Sequence, residues 1–104
     1  MPGRIRKARG ADTETVTYFF LMTHNEKGAQ QTPKVKNDAI AEVTRAVRGE
    51  KGACILYLAK GSAYDYVSVM TGLSPAGAVR IANVIESRGT VKAKVLPGLM
   101  VARS

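Results

Sequence analysis

The sequence predicts an α+β domain with the element order β-α-β-β-α-β. Three observations carry that expectation. Residues 16–23 and 64–70 are dense in β-branched and aromatic side chains, as strands are. Thr32-Pro33 and Ser74-Pro75 each put a hydroxyl residue before a proline and lead into apolar residues spaced by three and four, which marks the start of an amphipathic helix. Strand-like and helix-like segments also follow one another as they do in the split βαβ unit. A chain of 104 residues has room for one compact domain and not for two.

Residues 1–15 lack periodicity and read as a flexible basic leader, leaving 16–101 as the domain. The first strand, Val16 to Thr23, is apolar on both faces, because Tyr18, Phe20 and Met22 alternate with Phe19 and Leu21. Such a strand belongs in the middle of a sheet covered twice. His24 to Gln31 reads as a loop. The first helix follows Thr32, with Ile40, Val43 and Val47 on one face and Gly49 as its stop. Ala53 to Ala59 is the second strand, Lys60 to Ala63 a turn, and Tyr64 to Met70 the third strand. The second helix starts after Ser74, carries Ala78, Ile81, Ala82 and Ile85 as its stripe, and ends near Arg88-Gly89. In the fourth strand, Thr90 to Leu96, Val91, Ala93 and Val95 alternate with Lys92 and Lys94, and lysine guards an exposed edge. Pro97-Gly98 is expected to end it.

Right-handed crossovers place the first and third strands at the centre of an antiparallel sheet and the second and fourth at its edges. This is the ferredoxin-like arrangement, in which two helices cover one sheet face. Here the other face is apolar as well, in an area larger than a monomer usually leaves bare. The economical cover is a second copy, so a homodimer with a barrel-like sheet-to-sheet interface is expected.

Composition narrows the partners. No apolar run approaches the roughly 20 residues of a membrane helix, and no apolar stretch follows the basic start as in a signal peptide, so a cytoplasmic protein without a membrane partner is expected. The single cysteine, Cys54, excludes an intrachain disulfide and a cysteine-rich metal site. The formal charge is +8, and Arg4, Arg6, Lys7 and Arg9 crowd the leader. A basic arm binds phosphates through counterion release. No aromatic is interleaved with these charges, however, and a solvated tail is the preferred explanation for them over nucleic-acid binding.

The residues Gly61, Tyr64 and Asp65, followed by Val67 and Val69, then Ala78, Ile81-Ala82 and Arg88-Gly89-Thr90-Val91, resemble the GYD domain family of small bacterial and archaeal proteins. The resemblance extends over roughly 16–101 and implies a ferredoxin-like fold and a dimeric α/β barrel. It implies little about chemistry, since the family has no generally assigned activity. Ser62 and Ala63 stand where the usual signature has one residue, and the extra residue alters the hairpin turn before Asp65.

Asp65 is the most informative single residue, because a carboxylate within an apolar strand must be solvated, paired or protonated. It is either a clamp on the backbone N–H groups of the turn at Lys60–Ala63 or the acid–base group of a pocket. A pocket on these strands would draw on Asp65, Tyr64, His24 and Tyr18. His24 is the one histidine. It serves as an axial haem ligand, as an acid–base group, or as a polar residue at a strand end with no carboxylate nearby. A multi-histidine metal site is excluded, and no glycine-rich phosphate loop is present. No cofactor is therefore expected. The function expected is that of a ligand-binding or accessory module. The alternatives are a small monooxygenase or isomerase with a pocket near Asp65, and nucleic-acid binding through the basic arm.

Overall fold

A computed structural model of the chain describes residues 16–59 and 63–100. The elements are β1 (Val16–His24), α1 (Glu26–Ala29), α2 (Pro33–Gly49), β2 (Ala53–Leu58), β3 (Tyr66–Leu73), α3 (Pro75–Glu86) and β4 (Val91–Gly98). The four strands form one antiparallel sheet in the order β2-β3-β1-β4. This is the ferredoxin-like topology, with the two strands apolar on both faces at its centre. Among the described residues, no helix is long and apolar enough to cross a membrane.

The long helices begin where their caps dictate. Thr32 and Ser74 side chains accept from the N–H groups of Val35 and Gly77, and a proline follows each cap. The loop expected at His24–Gln31 contains a further short helix, α1. Its cap is Asn25, whose Oδ1 accepts from Gly28 N–H at 2.8 Å.

The strand boundaries depart most from those expected at both ends of β3 and at the end of β4, and by a single residue elsewhere. β3 starts at Tyr66 instead of Tyr64 and runs on to Leu73. There it advances three positions, from Met70 to Leu73, where β1 advances two, from Tyr18 back to Val16. Gly72 lies at this bulge with φ +80°, a conformation that side-chain-bearing residues rarely adopt. β4 continues through Pro97 to Gly98, and Pro97 lies opposite Tyr18. An edge strand tolerates proline because only one of its sides carries ladder bonds.

The core lies between the sheet and the two long helices. Tyr18, Phe20, Met22 and Met70 from the central strands meet Val47 of α2 and Ala78, Ile81 and Ile85 of α3, with Leu73 closing one end. The side away from the helices is also apolar. Ile55, Val69, Phe19 and Leu96 lie side by side across the four strands, and Tyr57, Val67, Leu21 and Lys94 form the next row. At the rim of this face Ile55 is 57% exposed and Tyr57 53%.

Two arginine forks hold α2 against α3. Arg80 donates to Glu50 through Nε at 2.6 Å and Nη2 at 2.8 Å. Arg88 donates to Glu42 Oε1 through Nε at 3.0 Å and Nη2 at 2.8 Å. Glu50, the C-cap of α2, pairs with Arg80 within α3, while Glu42 within α2 pairs with Arg88 just past the end of α3, so the helices run antiparallel. The hydrogen bonds from Arg80, helped by its charge and opposed by partial burial, lower the pKa of Glu50 below the ordinary 4.5. A lowered carboxylate stabilises the fold above the ordinary value, and that contribution disappears as pH falls through the lowered one. Glu50→Gln is therefore expected to flatten the fall of Tm below about pH 4.5. Melting curves at low salt check this, and a Gln variant with an unchanged acid limb would contradict it.

Candidate functional site

The fold leaves a cavity of about 110 Å³ between the sheet and α2. Its cause is visible along the helix stripe. Val47 near the C-terminal end of α2 is 1% exposed, Val43 is half-buried, and Ile40 is 39% exposed. The helix thus touches the sheet at its C-terminal end and stands off it toward its N-terminal half. Met22, Met70, Cys54 and Ser68 of the sheet line the space from one side, and Ala39, Ile40 and Val43 line it from the other. Val84, Ile85 and Arg88 close it toward α3, while His24, Gly28 and Thr90 wall the end near β1.

The lining is mostly apolar, and most of its polar groups are already engaged. Ser68 Oγ donates to the carbonyl of Ile55 at 2.9 Å, which satisfies a hydroxyl buried at 1% exposure. Arg88 is held by Glu42, and both belong to the wall. Gly28 is required by close approach, since a Cβ there would lie 2.6 Å from the Thr90 carbonyl oxygen and 2.7 Å from His24 Cβ. The short helix α1 is further tied to the start of β4 by Asn25, whose backbone N–H donates to Thr90 O and whose Nδ2 donates to Gly89 O.

The structure brings His24 and Asp65 together, which corrects the expectation of a histidine without a nearby carboxylate. Asp65 Oδ2 accepts from the His24 backbone N–H at 3.0 Å, and Oδ1 lies 3.7 Å from His24 Nε2. The second distance is too long for a hydrogen bond, so it amounts to charge attraction whenever the imidazole is protonated. Tyr66 packs its ring against the imidazole edge at 5.9 Å between centroids. The backbone of Asp65 joins the same junction: its N–H donates to Met22 O, and its carbonyl accepts from Ala59 N–H. Among the described residues the partner of the carboxylate is thus the exit of β1. Residues 60–62, including Gly61, lie outside the described residues, as do Arg4, Arg6, Lys7 and Arg9.

Of the four pocket candidates, His24 lines the cavity, and Asp65, Tyr64 and Tyr18 are not among its walls. Tyr18 is a core residue at 8% exposure, and Tyr64 is half-buried beside the hairpin. Sequence reasoning passed over Lys36, Val43, Cys54 and Met70 as wall residues. The helical spacing of Lys36, Ala39 or Ile40, and Val43 could have pointed to three positions of the wall, because it sets them on one face. Among the described residues, no group of three His, Cys, Asp or Glu side chains is placed to hold a metal ion.

Asp65→Ala leaves a half-buried N–H without its acceptor and is expected to destabilise the fold by about 1–3 kcal/mol. Asp65→Asn is expected to lose less, because the amide oxygen still accepts from His24 N–H. Urea unfolding compares the two, and an alanine variant as stable as the wild type would show that the contact carries nothing. The chain matches no known protein-family model, no curated protein and no solved structure. What stands is a small α+β domain with a ferredoxin-like four-stranded sheet.

Proposed function

We propose that this protein is a GYD-type ligand-binding module that works as a homodimer. The Tyr64-Asp65 part of the signature and the order of elements support the family reading. The binding role is carried by one observation: an apolar cavity beneath the N-terminal half of α2, walled by Met22, Val43, Cys54 and Met70. A well-packed domain leaves few voids of this size, and one lined by adaptable thioether side chains suits a small apolar guest. Cys54 is a free thiol on this wall.

Two cross-strand rows on the far face of the sheet support the dimer. Seven of their eight members are apolar: Ile55, Val69, Phe19, Leu96, Tyr57, Val67 and Leu21. Stacking two such faces about a two-fold axis covers both at once. The cavity lies on the opposite side of the sheet, so dimerisation leaves it open.

An acid–base enzyme is the second reading, and the approach of Asp65 to the His24 ring favours it. A carboxylate beside an imidazole orients the ring, as general acid–base catalysis requires. Against it, the same carboxylate is occupied by the His24 N–H, and Asp65 is not on the cavity wall.

Native mass spectrometry tests the assembly and the binding role together. The wild type is expected at twice the 11.1 kDa chain mass, carrying a small adduct when purified gently. Leu21→Lys is expected to give a folded monomer, because it sets a charge in the middle of the covered face. A wild type that runs as a monomer at micromolar concentration would end the dimer reading.

A further inference from the structure

We propose that the cavity beneath α2 binds a small organic carboxylate, with a ring or short branched alkyl body inside and its anionic end on Lys36. The inference rests on the ligand-binding reading and adds the chemistry of the guest.

The charges on the wall lead to it. Arg88 is neutralised by Glu42 through a fork on one carboxylate oxygen. His24 has Asp65 beside it. Lys36 remains: it lines the cavity, it is half-buried, and among the described residues its ammonium has no hydrogen-bond or ion-pair partner. Its place in the helix explains this. Lys36 shares the sheet-facing side of α2 with Ala39, Ile40 and Val43, where the helix stands off, so its stem runs along the cavity wall. A neutral guest would cover a half-buried ammonium and strip it of water without replacing the lost solvation. An anionic guest supplies a charge-assisted hydrogen bond instead.

Size and lining set the body of the guest. A cavity of about 110 Å³ is somewhat smaller than the roughly 150 Å³ that encloses benzene, and it opens to solvent on one side. One six-membered ring or a branched chain of similar bulk therefore fits inside, with its carboxylate at the mouth. Met22 and Met70 adjust to the shape of such a body, and the Cys54 thiol adds a polarisable contact. A nucleotide or sugar phosphate is too large and too polar for this space, and the chain has no glycine-rich loop to cradle it.

Titration calorimetry on the full chain at neutral pH, with benzoate and benzyl alcohol as paired probes, tests the assignment. The two share a ring and differ in charge. Benzoate is expected to bind at least about tenfold more tightly, the difference a charge-assisted bond supplies. Lys36→Gln should remove that advantage while leaving benzyl alcohol unaffected, and the folded state of the variant is checked by its melting curve. The wild-type comparison alone decides the question should the variant fail to fold. Equal affinity for both probes would overturn the carboxylate assignment and leave the binding role standing. No heat with either probe at millimolar concentration would overturn both.

Discussion

The two-sided apolarity of the central strands is the constraint from which the rest of this structure follows. In a strand, neighbouring side chains point to opposite faces, so Phe20 and Phe19 cannot be buried by the same layer. Phe20 is completely enclosed by the helices, together with Met70 from the adjacent strand. Phe19 sits between Val69 and Leu96 on the other face, where no described helix reaches it. One layer of helices satisfies half of what these strands require. The other half calls for a second sheet, and the proposed dimer answers that need.

The edge strands show the same economy. β4 is protected by Lys92 and Lys94, and the carboxylate of Glu86 accepts from Ala93 N–H at 2.9 Å. β2 has no such guard: Ile55, Leu56, Tyr57 and Leu58 are all exposed, Leu58 at 64%. A bare apolar edge is open to pairing with another chain. The side of the molecule carrying β2 is thus incomplete in a way that the side carrying β4 is not.

The cavity comes from how α2 is anchored. The Glu50–Arg80 fork and the buried Val47 fix its C-terminal end. The Glu42–Arg88 fork grips the middle of the helix, and the N-terminal half contributes no buried apolar side chain, so it stands away from the sheet. The Asp65 carboxylate helps define the end of the same space by holding the backbone of His24 where β1 leaves the sheet. Position and environment give these two carboxylates, Glu42 and Asp65, structural work next to a pocket that neither fills.

Much of this was legible in the chain. The caps at Thr32 and Ser74, the alternation in 16–23 and the lysine-guarded fourth strand led to the correct element order and to the order of strands in the sheet. Local chemistry decides those features, so local sequence reveals them. The short helix at Glu26–Ala29 carried a readable signal in Asn25, an acceptor placed three residues before Gly28 N–H. The bulge at Gly72, the continuation of β4 through Pro97 and the pairing of Asp65 with His24, 41 positions apart, carried none. They depend on register between strands, which is settled when distant segments meet. In the same way, helical spacing could place Lys36, Ile40 and Val43 on one face. Only the packed fold decided that this face would stand clear of the sheet, because the tilt of a helix is set by what its far end grips.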